Sequence, residues 1–136
     1  MLEGYRFASR FRVPLSDVDI LRHANNVAYL RWAETLRTDY AAEVLGADVG
    51  GEHGMILAKT KVVYEKPILY RERVAIGTRI PRIGGKSFDF EFEVWSDDKD
   101  VRCAHIYSVL VAMNYVTNQT IPVPQDWRDR IAEFER

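Results

Sequence analysis

Between Ser16 and Arg37 the chain reads SDVDILRHANNVAYLRWAETLR, and the first half of that stretch holds two carboxylates (Asp17, Asp19), one imidazole (His23) and two amides (Asn25, Asn26). Side chains of these types cooperate when a helix begins beside them. The first turn of a helix presents N–H groups without intrahelical partners at the positive end of its dipole, so it can polarise a carbonyl oxygen or hold an anion. A carboxylate a few residues upstream then reaches the carbonyl carbon of the same molecule, directly or through a water that it deprotonates. The same residues also have plainer uses. Aspartates ahead of a helix make turn hydrogen bonds, which is how Asp17 reads, and asparagines cap first turns. A single histidine there orients a neighbour or is simply a hydrogen-bonded structural residue. Asn26 can serve twice, capping with its side chain while its backbone N–H stays available.

The helix that this chemistry needs is expected from Asn26 to Leu45. Val27, Leu30, Ala33, Tyr40, Ala41, Val44 and Leu45 gather on one face at about 100° per residue, opposite Arg31, Thr35, Asp39, Ala42 and Glu43. Gly46 stands where a left-handed cap would end it. Trp32 falls on the polar side of this wheel. Glu34 and Arg37 fall within the apolar arc, where charges persist as pairs, and their spacing permits a structural ion pair. A strand from Tyr5 to Val13 precedes the helix, with Tyr5, Phe7, Ser9, Phe11 and Val13 on one side. Gly46, Gly50, Gly51 and Gly54 mark a loop of the kind that covers sites. Four strands follow at Met55–Tyr64, Arg73–Ile80, Ser87–Trp95 and Val101–Tyr115, with turns at Lys66-Pro67, Gly84-Gly85 and Asp97-Asp98. SFDFEFEVW alternates most clearly. The last strand is apolar on both faces, as suits a central strand or one that meets a partner. Asp126 is placed to cap a short terminal helix carrying Trp127, Ile131 and Phe134. The sum is an α+β domain spanning residues 1–136.

The totals narrow the classes. Nineteen basic against 20 acidic residues leave a formal charge of −1, without the basic excess that a nucleic-acid backbone requires. No apolar run approaches a membrane span, and the opening MLEGYRFASRFRV lacks the apolar region of a signal peptide. Cys103 is the single cysteine, so no disulfide forms within the chain. A cytoplasmic location is expected, with no membrane or nucleic-acid partner. His23, His53 and His105 are scattered without a ligand-like cluster, so no metal is expected; His53 and His105 read as structural.

These residues, in this order, resemble the hotdog-fold thioesterases of the 4-hydroxybenzoyl-CoA thioesterase type. The resemblance is carried by Asp17-Val-Asp19, His23-Ala-Asn25-Asn26, Tyr29-Leu30, Glu34 with Arg37, Tyr64 with Pro67, Lys86-Ser87-Phe88 and Ile121-Pro122. It implies a long helix wrapped by a five-stranded antiparallel sheet, with a short C-terminal helix. It also implies a homodimer or homotetramer that hydrolyses an acyl-CoA or acyl carrier protein thioester, with no cofactor beyond the coenzyme A of the substrate. Asp19 would be the catalytic carboxylate and the backbone N–H of Asn26 the oxyanion donor, while His23 would orient Asp19 or line the acyl pocket. Lys86 and Ser87, and more weakly Arg82, would contact coenzyme A phosphates. Glu34 is a reserve base, since another branch of these enzymes carries its glutamate on the long helix. Arg22 departs from the pattern, standing where the family has glycine; the loop then runs differently, or Arg22 points to solvent or toward a phosphate. The rival readings are a hotdog hydratase or dehydratase, which Leu21 disfavours by standing where that motif has asparagine, and a non-catalytic acyl-CoA binding module.

Overall fold

The computed structural model describes residues 2–47 and 50–136. Strand β1 (Phe7–Arg12) leads through a single 3-10 turn at Leu15–Asp17 into the long helix α1 (Asn26–Glu43). Then come β2 (His53–Tyr64), β3 (Arg73–Ile83), β4 (Ser87–Ser96), β5 (Val101–Asn114), the two-residue β6 (Gln119–Thr120) and helix α2 (Gln125–Phe134). The strands form one antiparallel sheet in the order β1-β3-β4-β5-β2, with β6 paired to the end of β5. This is the hotdog arrangement, the sheet curling around α1.

The alternation in β4 has the expected outcome. Phe88, Phe90, Phe92 and Val94 lie fully buried beneath the helix, each contributing roughly 2 kcal/mol of transfer free energy. Tyr40 of α1 meets Phe90, Phe7 and Phe134 edge-on, joining the helix to both ends of the chain. Its hydroxyl donates to Glu135 Oε1 at 2.8 Å, and burial followed by that bond raises its pKa. Strand β5 is central, between β4 and β2.

Four expectations require correction. The helix presents Ala28, Tyr29, Trp32, Ala33, Leu36, Tyr40 and Ala41 to the core, so Trp32 is buried while Val27 is 54% exposed. The repeat fixes the width of the apolar stripe but not its direction. Trp32 turns inward because its indole meets Phe11, with ring centroids 5.0 Å apart, and its N–H has a carboxylate to bond. Helix α2 starts two residues early, with Pro124 at the cap position and Asp126 in the first turn, where its charge suits the dipole but caps nothing. Strand β2 begins at His53, so Gly54 belongs to the strand and not to the loop. A Cβ on Gly54 would collide with the Tyr115 ring, which is why glycine stands there. Finally, Glu34 and Arg37 form no ion pair: Glu34 is exposed and Arg37 half-buried. Residues 48 and 49 of the expected glycine loop lie outside the described residues. Gly46 does take the left-handed conformation, φ 68°, that ends α1.

Candidate active site

The segment from Val13 to Asn25 is pinned at both ends and folded back on itself. Val13 N–H donates to Glu72 O, and Val13 O accepts from Arg71 N–H, both at 3.0 Å. Val18 pairs with Ala24; Asp19 N–H donates to His23 O, and Arg22 N–H closes a turn on Asp19 O, each at 3.0 Å. The result is a small hairpin with Ile20, Leu21 and Arg22 at its tip. Arg22 has φ 65°. That is the left-handed place where a three-residue hairpin loop asks for glycine, and a side chain there costs about 1–2 kcal/mol. The loop is therefore not rerouted around Arg22. The arginine adopts glycine's backbone under strain, and its exposed side chain makes no hydrogen bond to a described residue.

Asp17 and Asp19 are two residues apart and differently engaged. Asp17 Oδ1 accepts from Arg31 Nη2 at 2.8 Å and Oδ2 from Trp32 Nε1 at 2.9 Å, while its carbonyl accepts from Asn25 N–H at 2.7 Å. Both oxygens are spent fastening the loop to the second turn of α1. Asp19 is half-buried, and its Oδ1 accepts from Leu21 N–H at 2.9 Å. Its Oδ2 has no partner among the described residues. One aspartate is thus structural, and the other is oriented with an oxygen to spare.

Asn25 caps α1, its Oδ1 accepting from Val27 N–H at 2.9 Å and its carbonyl from Ala28 N–H at 2.8 Å. The N–H of Asn26, between them, has no partner among the described residues. It stands at the first helical position, where dipole and unspent donor coincide. Tyr64, at the end of β2, donates its hydroxyl to Asn26 O at 2.7 Å and sets its ring edge-on to Tyr29; burial raises its pKa. Around this helix end opens a cleft of about 250 Å³ lined by His23, Asn26, Tyr29, Tyr64, Lys66 and Pro67, among others. Asp19 is not part of that lining. His23 lines it, and its backbone carbonyl accepts from Asp19 N–H. Nothing local in the sequence had pointed to Tyr64 as the clamp on Asn26, because the contact joins residues 38 apart.

Residues 13–131 match the family model of the thioesterase-like superfamily. The chain belongs to the thioesterase-like superfamily. A thioesterase from Thermus thermophilus, solved with coenzyme A and zinc, is 28% identical with a TM-score of 0.85, covering 98% of this chain and 97% of that one. A Pseudomonas aeruginosa protein is 26% identical with a TM-score of 0.88 (97% and 93% covered). A thioesterase-superfamily protein of Jannaschia, at 24% identity and a TM-score of 0.89 (98% and 86% covered), shares the fold. No curated protein matches the sequence.

The remaining sequence-derived residues of this superfamily member lie elsewhere. In the sheet register Ser87 faces Val111 and Val111 faces Ile56, whereas Tyr64 faces Ala104. Lys86 and Ser87 are therefore at the opposite end of β2 from Asn26, eight residues and roughly 26 Å away at about 3.3 Å per residue. Their turn packs against the C-terminal segment, where Arg128 donates to the carbonyls of Gly84 and Gly85. Arg82 lies 3.6 Å from the buried Asp89, which also takes a 2.6 Å hydrogen bond from Tyr107. Glu34 lines a second, larger cleft farther along α1. Within one chain, then, His23 and Asn26 share the cleft at the helix end and Asp19 sits in the hairpin just before it, while Glu34, Arg82, Lys86 and Ser87 lie elsewhere.

Proposed function

We propose that this protein is an acyl-CoA thioesterase, releasing a free acid and a thiol from an acyl thioester. The unspent Asn26 N–H at the mouth of an open cleft is the observation that carries the reading. A helix-terminal amide in that position is what a thioester oxygen needs as it becomes an oxyanion. Asp19 supplies the other half. With Oδ1 fixed by Leu21 N–H, its free Oδ2 acts on the carbonyl carbon as nucleophile, or as general base on an attacking water. Water adds to the acyl carbon, the C–S bond breaks, and the thiolate of coenzyme A departs. His23 lines the cleft beside the acyl group. Membership of the superfamily supports the reaction type; the division of labour is that of the 4-hydroxybenzoyl-CoA type.

The assembly that completes this site is a homodimer joined along β2. That strand is an edge of the sheet, twelve residues long, with Ile56, Leu57, Val63 and Tyr64 exposed. An unpaired edge of that length, apolar toward both ends with Lys59 and Lys61 between, leaves a row of backbone donors and acceptors open to another strand. Two-fold antiparallel pairing lays the Ile56 end of one copy against the Tyr64 end of the other. The partner subunit's Lys86 and Ser87 then approach the cleft at Asn26, where coenzyme A phosphates would lie.

The test is a panel of aliphatic and aromatic acyl-CoAs with thiol detection. Thiol release from at least one member is expected. Binding without turnover across the panel would favour the binding module, and loss of the enoyl absorbance of crotonyl-CoA without release of thiol would favour the hydratase.

A further inference from the structure

A cleft of about 490 Å³ lies between the second half of α1 and the start of β2. Its size falls within the range of about 300–1,000 Å³ that small ligands occupy. Its walls combine Ala41, Met55 and Tyr115, whose ring is locked over Gly54 and whose hydroxyl is spent on Met55 O at 2.9 Å, with the polar Glu34, Thr38 and His53. Arg37 is the one lysine or arginine among the described lining residues. It is half-buried and makes no hydrogen bond or ion pair with a described residue. A guanidinium has five donors, and one withdrawn from water without an acceptor is poorly solvated. Burial lowers its pKa, and the nearby charge of Glu34 only partly offsets this.

This cleft shares no lining residue with the one at Asn26, but both lie along the same face of α1. Asn26, Leu30, Glu34, Arg37 and Ala41 follow one another at intervals of three or four, so they share one stripe of α1. From Asn26 to Arg37 the helix rises about 16 Å at 1.5 Å per residue, and the Arg37 side chain leans back toward the N-terminus. An acyl chain whose carbonyl is held at Asn26 and which runs along this stripe ends at the guanidinium.

We infer that Arg37 is a specificity residue for acyl thioesters of medium length that carry a carboxylate at the far end of the acyl group. The inference rests on the hydrolase reading above. A carboxylate there accepts two parallel hydrogen bonds from the guanidinium, while the apolar walls take the methylenes.

The experiment compares adipoyl-, suberoyl- and sebacoyl-CoA with hexanoyl-, octanoyl- and decanoyl-CoA on the wild-type protein, Arg37→Leu and Arg37→Lys. The wild type is expected to favour at least one carboxylated member by about ten-fold or more in kcat/KM, chiefly through KM. Arg37→Leu brings that ratio to about one, and Arg37→Lys retains part of it. A ratio does not depend on how much of a variant folds. Free suberate and sebacate are titrated in parallel by calorimetry, with binding expected for the wild type and lost in Arg37→Leu. No preference in the wild type, a preference that survives Arg37→Leu, or an equal loss of affinity for coenzyme A itself would overturn the proposal. Dicarboxylate binding that depends on Arg37, with no thiol released from any acyl-CoA, would instead keep the anion site and sink the hydrolase reading.

Discussion

At the scale of single residues, chemistry and structure divide the Asp17–Asp19 pair between them. Asp17 spends both oxygens on Arg31 and Trp32, so it sets where the loop sits; Asp19 spends one, so it can act. Asp19→Asn keeps the Leu21 bond and removes the base, and kcat for the best acyl-CoA should fall by about 100-fold or more. Retention of wild-type turnover in steady-state thiol release would remove Asp19 from the mechanism. Arg22 raises a separate question of strain. Its left-handed backbone costs about 1–2 kcal/mol as arginine, while glycine adds roughly 0.5–1 kcal/mol of unfolded-state entropy. Arg22→Gly is therefore expected to be neutral to stabilising by up to about 1 kcal/mol in urea unfolding, with the loop unchanged. A loss of more than about 1 kcal/mol would mean that the arginine side chain makes a contact worth the strain.

At the scale of elements, α1 delivers an amide to a fixed point, and its cap decides how firmly. Asn25→Ala removes the acceptor of Val27 N–H and should cost about 1 kcal/mol of stability. It should also lower kcat more than KM, because the neighbouring Asn26 N–H loses its aim. Equal kcat with lowered stability would leave Asn25 a cap and nothing more. On the outer face of the sheet, burial pushes the Glu91 carboxyl up, but hydrogen bonds from Arg79 at 3.0 Å and His105 at 2.8 Å outweigh it and leave the pKa below the usual value. A depressed folded-state pKa gives stability that is present above the unfolded value and lost as pH falls through the folded one. Wild-type stability should therefore decline below about pH 4.5, and Glu91→Gln should flatten part of that decline in unfolding curves recorded from neutral to acid pH. The elements themselves were legible where one pattern sufficed. The two-residue period of β4 and the turn residues between strands located the sheet, and Asn25 with Gly46 bounded the helix. The direction of the helix stripe was not legible, because it depends on Trp32 finding Asp17 and Phe11 in other elements. The pairing of Glu34 with Arg37, which spacing allowed, gave way to an open cleft. Spacing tells which side chains can meet, but not whether they do.

At the scale of the whole molecule, one chain holds the candidate residues at two ends of its sheet, and the proposed dimer is what would bring them to one site. If Lys86 and Ser87 bind the substrate that Asn26 and Asp19 act upon, they must come from a second copy, which antiparallel pairing of β2 edges would bring. Light scattering should then give a dimer or a multiple of one. Complementation reads the geometry more sharply. An Asp19→Asn protein and a Lys86→Glu protein are each expected to be weak at low acyl-CoA, the first from lost chemistry and the second from repelled phosphates. In dimers refolded from an equal mixture, about half are hybrids, and each hybrid restores one intact site of two, built from Asp19 of one chain and Lys86 of the other. About a quarter of wild-type activity should return. If both residues served the same chain's site, every site in every hybrid would carry one lesion or the other, and mixing would recover nothing.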